Sequence, residues 1–172
     1  GGGDREVEAR PHARRVGAQR PVDRLADVDG LHDVVDSFVD LVNGRIQALA
    51  RVHTLISESR WRGADLRRVI EDELLPYMAE AHEVSAFGPS LFLPPAVSQS
   101  MALVLHELLT NAAKYGSLSR PGGELRLNWQ VEGNALVINW IERAQHAVRR
   151  PLVTGFGTRL IRATVEGTLK GT

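Results

Sequence analysis

Glu107, Asn111 and Lys114 stand close together in LHELLTNAAKYGSLS, residues 105–119. At 100° per residue they fall within about 60° of one another on a helical wheel, while Met101, Leu105, Leu108 and Ala112 cluster elsewhere. One face of such a helix packs and the other offers chemistry. A carboxylate and a carboxamide one turn apart supply oxygen ligands suited to a hard cation, directly or through water, and a lysine adds positive charge for an anion nearby. Mg²⁺ with a nucleotide polyphosphate satisfies all three. The plainer alternative is a solvated helix face carrying an ordinary i, i+4 polar pair. A second motif, GFG at 155–157, precedes another helical pattern whose N-terminal amides could hold phosphate, although GxG before a helix is common and by itself weak.

The elements that must position these residues follow from periodicity and breakers. Val35, Phe38, Val39, Val42, Ile46, Leu49, Val52, Leu55 and Ile56 recur at three- and four-residue steps, which predicts an amphipathic helix from about Val34 to Glu58. Residues 1–33 contain Pro11, Pro21 and scattered glycines, and they read as an irregular segment. Gly63 and Asp65 punctuate the chain before LRRVIEDELLPYM, a second and shorter helix up to Pro76. VSAFGPSLFLPPAV reads as two short strands about a turn, and Pro94 or Pro95 opens a helix running to Tyr115, with Gly116 as its stop. ELRLNWQV and ALVINWI alternate around EGN at 132–134 as an antiparallel hairpin, and TRLIRATVEGTL returns to helical spacing. The expected fold is a two-layer α/β sandwich, helices on one face of a mixed sheet, preceded by the long helix. A helix ending next to Thr172 with no closing strand suggests a domain truncated at its C-terminus.

Composition narrows the function classes. The 172 residues are 43% apolar with zero formal net charge and no cysteine. That excludes disulfides and thiolate zinc sites and argues against bulk nucleic-acid binding. No run approaches the roughly 18 apolar residues of a membrane span, and the N-terminus lacks a signal-peptide pattern, so the expectation is a cytoplasmic protein with no span in this chain.

LHELLTNAAKYGSLS, WIE at 140–142 and GFGTRLI at 155–161 resemble the N box, W-x-E motif and second glycine box of HWE-type sensor histidine kinases. RIQALARVHTLI (45–56) and WRGADL (61–66) resemble the segment between that family's phosphoacceptor helix and its catalytic domain. The resemblance covers about Phe38 to Lys170. It implies a GHKL (Bergerat) ATP-binding sandwich over 61–172, and at 34–60 the remnant of a helical dimerisation and phosphoacceptor region. It further implies ATP and Mg²⁺ as cofactors, a homodimer, and a response-regulator receiver domain as partner. Carried over, Asn111 coordinates Mg²⁺, Glu107 places a metal-bound or attacking-side water, Lys114 faces the phosphates and Glu142 accepts a hydrogen bond from the adenine amino group. Gly155 and Gly157 let the backbone approach the triphosphate. Tyr115 and Phe156, the aromatic members of the same two boxes, are expected to bind the nucleotide as well. His106 is the N-box histidine, catalytic or structural, and Trp140 packs in the core or against the base.

Two places depart from the family pattern. A Gly-Gly pair usually follows the W-x-E glutamate, and here Ala144 and Gln145 stand there. A Cβ where positive φ is needed costs about 1 kcal/mol or more and would lower nucleotide affinity. The phosphoacceptor box is replaced by PHARRVGAQ, in which His12 is the sole candidate. The residue usage of 10–32 is that of a GC-rich gene read out of frame, a reading the nucleotide sequence would test. A competing expectation is a degenerate, non-catalytic module on the same fold that dimerises or binds a partner. An anti-sigma-type serine kinase on this fold is disfavoured, because W-x-E and WRGADL are not its marks.

Overall fold

The computed structural model describes residues 21–78, 82–144 and 155–172, with the backbone alone for 21–29. His12 and Gln145 lie outside the described residues. The chain divides into a unit of residues 1–39 and a larger one of 40–172. Helix α1 (Pro21–Glu58) contributes to both.

α1 begins at Pro21, not at Val34, so the irregular segment expected over 1–33 is helical from residue 21 on. Leu25, Val28 and Leu31 extend the three-residue steps of the later pattern. Gly30, which suggested a break, costs a helix only about 1 kcal/mol. Pro21 sits in the first turn, where its missing N–H would have had no helical partner.

In the larger unit, β1 (Ala64–Asp65) leads directly into α2 (Leu66–Met78). Asp65 caps that helix through Oδ1, which accepts the Arg67 N–H at 2.9 Å. Pro76 does not end α2, which runs two residues further. There follow β2 (Glu83–Phe87), β3 (Phe92–Leu93), α3 (Pro95–Tyr115), a single 3₁₀ turn (Ser117–Ser119), β4 (Glu124–Glu132) and β5 (Ala135–Arg143). α4 (Phe156–Ala163) and a π turn (Thr164–Thr168) complete the order.

The main sheet has strand order β2-β4-β5. β2 runs parallel to β4, with Val84 opposite Leu125 and Ala86 opposite Leu127. β4 and β5 form the expected hairpin, pairing Leu125 with Glu142 and Leu127 with Trp140. The two short strands of VSAFGPSLFLPPAV do not pair with each other: β2 joins this sheet, and β3 pairs with β1. The sheet is therefore mixed.

Alternation along β4 decides which face is covered. Leu125, Leu127 and Trp129 are buried, whereas Arg126 and Gln130 are exposed. Against the buried face lie Leu66, Val69, Ile70 and Leu74 of α2 and Met101, Ala102, Leu105, Leu109 and Ala112 of α3, joined by Val52 and Ile56 of α1. Two layers share one core. The apolar pattern of α1 resolves into two faces: Ala48, Val52 and Ile56 are buried, while Ile46 and Leu49 remain exposed.

Candidate nucleotide site

α3 is a helix because Pro95 opens it, a long apolar stripe seals it to the sheet, and its chain leaves helical geometry at Gly116. The expected division into one packed and one chemical face is only half right. Glu107 is 3% exposed, as buried as the leucines of the stripe, and Leu109 is buried where Leu108 is only partly so. α3 is covered on two sides, by the sheet and by α1 with α4.

A buried carboxylate must be paired, and the partner of Glu107 comes from α1. Arg45 donates from Nε to Oε1 at 2.5 Å and from Nη2 to Oε2 at 3.0 Å, a two-pronged charge-assisted contact. The same guanidinium lies 4.8 Å from the ring centroid of Phe156. Gly157, next in the chain, is seated so closely on Glu107 that a Cβ there would overlap Oε2, and Asn111 Oδ1 lies 4.0 Å from the same point. The fold thus brings Glu107, Asn111, Phe156 and Gly157 together from two motifs about 50 residues apart in sequence.

Asn111 is half-buried. Its carboxamide makes no hydrogen bond among the described residues. Lys114 is exposed and lines a cleft of about 170 Å³ with Asp40, Leu41, Gly44, His106, Glu107 and Thr110. Tyr115 is 45% exposed at the helix end, and Gly155 is the exposed N-cap of α4.

His106 belongs to a second charged group. Its Nδ1 lies 3.4 Å from Oε2 of Glu73, a residue of α2 that is 3% exposed. Arg51 of α1 donates to the other oxygen of Glu73, from Nη2 at 2.7 Å and from Nε at 3.1 Å. The opposite edge of the imidazole rests on α1, where a Cβ at Gly44 would sit 2.8 Å from Nε2. Both polar residues of the His-Glu pair are therefore engaged by α1 and α2.

Glu142 sits near the end of β5, beside the end of α3. Its Oε2 accepts the Ser117 N–H and its Oε1 accepts the Trp140 indole N–H, each at 2.8 Å. Trp140 does pack against the core, but it also holds the carboxylate two residues on, because residues i and i+2 of a strand share a face.

The chemistry of the donor set fits a Mg²⁺–nucleotide. Among the described residues no three His, Asp or Glu side chains gather into a cage for a metal. Mg²⁺ bound with phosphates takes only one or two protein oxygens and keeps waters; Asn111 Oδ1 could supply one, and Glu107 a second only without Arg45 on it. Sequence reasoning did not find Arg45, Arg51, Glu73, Gly44 or Ser117. The one available signal for Arg45 was its place three residues before Ala48 on the stripe that becomes Ala48, Val52 and Ile56, where a charge demands a buried partner.

The profile of the family described as HWE histidine kinase matches residues 30–90. A blue-light-activated histidine kinase of Rhizobium johnstonii is 36% identical over 152 residues, covering 80% of this chain and 44% of that protein. One from Brucella anthropi is 33% identical over 136 residues, covering 76% and 28%. The chain thus spans less than half the length of these relatives. The histidine kinase domain of the Erythrobacter litoralis blue-light activated histidine kinase superposes with a TM-score of 0.56 at 19% identity, covering 73% of this chain and 64% of that one. At that identity the likeness speaks for the fold. No described helix is long and apolar enough to cross a membrane.

Proposed function

The chain belongs to the HWE histidine kinase family, and from that premise we propose that residues 61–172 are an ATP-binding catalytic domain serving phosphoryl transfer from ATP to a histidine and thence to a response-regulator aspartate. The observation that supports this reading is Asn111, a half-buried residue whose carboxamide has no hydrogen-bond partner among the described residues, near Gly157 and beside a buried carboxylate.

In this proposal Asn111 Oδ1 and, when released from Arg45, Glu107 hold Mg²⁺, whose role is to neutralise charge on the transferring phosphoryl group. Lys114 balances phosphate charge from the rim of the cleft. Glu142 accepts from the adenine amino group, held in place by the Ser117 amide and the Trp140 indole. The backbone at Gly155, Phe156 and Gly157 borders the phosphates. Catalysis of this kind is positioning and electrostatics, and the nucleophile comes from outside the nucleotide site. His12 is the candidate on this chain.

Trp140→Phe tests the adenine end. It removes one charge-assisted hydrogen bond and keeps the ring, so Mg-ATP binding measured by calorimetry is expected to weaken about tenfold, with circular dichroism unchanged. Unaltered affinity would sink the role given to Glu142.

The homodimer rests on α1. In the unit of residues 1–39, Leu31, Val34, Val35, Phe38 and Val39 are all exposed, with Phe38 at 64%. An apolar stripe of that kind at helical spacing suits a second copy of the same helix. Phe38→Glu is expected to halve the mass seen by light scattering at micromolar concentration; a wild-type chain already monomeric would refute the dimer.

One observation favours the non-catalytic alternative: both oxygens of Glu107 are already taken by Arg45. Incubation with γ-labelled ATP, alone and with an intact histidine helix of a relative, separates the two. Label on that helix supports the kinase, whereas no nucleotide binding under either condition supports the module.

A further inference from the structure

Arg45 grips two parts of the site with one side chain. It holds both oxygens of Glu107 on α3 and stacks over Phe156 at the start of α4. Among the described residues the start of α4 is lightly held: none of its residues is buried, its N-cap makes no side-chain hydrogen bond, and Phe156 itself is 58% exposed. Gly157, directly after Phe156, lies on Glu107 Oε2 and beside Asn111 Oδ1. The start of α4 thus borders both of those oxygens.

We propose that Arg45 is an interlock between α1 and the nucleotide site, tying the start of α4 down onto α3 so that Glu107 and Asn111 accept Mg-nucleotide only when the guanidinium lets Phe156 go. The inference rests on the reading of the nucleotide site given above. It assigns α1 a role besides dimerisation, because any displacement of α1 that moves Arg45 loosens both legs of the contact at once. The glycine at 157 is then required by the closed state, since any side chain there would collide with the Glu107 carboxylate.

Two substitutions cut the interlock without stranding the Glu107 charge. Phe156→Leu removes the stacking leg and leaves the ion pair. Arg45→Lys keeps a cation beside Glu107 but loses the planar fork. Amide hydrogen exchange of the nucleotide-free protein over residues 156–163 is expected to quicken about fivefold in both variants, and calorimetry is expected to show Mg-ATP bound about fivefold more tightly. Unchanged exchange in both variants overturns the interlock whatever the nucleotide does. Faster exchange with equal or weaker Mg-ATP affinity also overturns it, because α4 would then not be holding the site shut. Faster exchange with no Mg-ATP bound by wild type or either variant leaves α4 tied to α1 through Arg45 and instead removes the nucleotide site.

Discussion

Asn111→Ala is expected to lower Mg-ATP affinity about a hundredfold while leaving the melting temperature at or slightly above that of wild type. The carboxamide makes no contact within the described residues that the fold would miss, and alanine is the better helix former by roughly 0.6 kcal/mol. The loss falls on the ligand side. A polar contact to a charged group contributes about 1.5–3 kcal/mol, which at its upper end is about two powers of ten in the dissociation constant. Titration calorimetry with Mg-ATP, run beside a thermal melt, reads both quantities. A lowered melting temperature with unchanged affinity would assign Asn111 to the scaffold and remove the observation on which the proposed function stands. Asn111→Asp sharpens the result: it keeps an oxygen ligand and adds a negative charge near the phosphates, so binding should become more dependent on Mg²⁺ concentration than in wild type.

Arg45→Ala is expected to be strongly destabilising. It leaves Glu107, 3% exposed, with a buried charge and no partner. Breaking one side of such a pair costs about 3–5 kcal/mol, because the desolvated ion that remains is no longer compensated. Arg45 keeps some contact with water, its side chain being 14% exposed, so the lower figure applies. About 3 kcal/mol corresponds to a fall of roughly 10 °C in Tm for a domain of this size. The double variant Arg45→Ala with Glu107→Gln should recover more than half of that loss, since the amide needs no counter-charge. If the single and double variants melt together, the cost lies in the lost packing of the arginine stem and not in the charge.

What could be read from the sequence, and what could not, divides by the range of the interaction. α3 was placed to within a residue because its signals are local: Pro95 at the start, Gly116 at the end, apolar steps between. The β4–β5 hairpin was equally accessible, since alternation and a Gly-Asn turn are properties of a few consecutive residues. The environment of Glu107 was not. Its partner lies 62 residues away on another helix, and nothing in the helical wheel of α3 separates a carboxylate facing water from one facing an arginine. α1 misled for a related reason. Its apolar residues form two stripes, and periodicity alone merges Ile46 and Leu49 with Val52 and Ile56, although the first pair is exposed and the second buried. Trp140 and Glu142 were closer to hand. Both carry polar tips on one face of a strand, and their mutual hydrogen bond accounts for the pairing of a tryptophan with a glutamate in W-x-E.

The two arginines that α1 turns inward give this helix the mechanics of a detent. Arg45 and Arg51 are six residues apart, about 9 Å along the axis, and each meets a buried carboxylate on a different helix, Glu107 on α3 and Glu73 on α2. A slide of one turn, about 5.4 Å, would take the arginine from both acids together, leaving Glu73 with His106 alone. Displacing α1 from these helices would therefore break both ion pairs in one event.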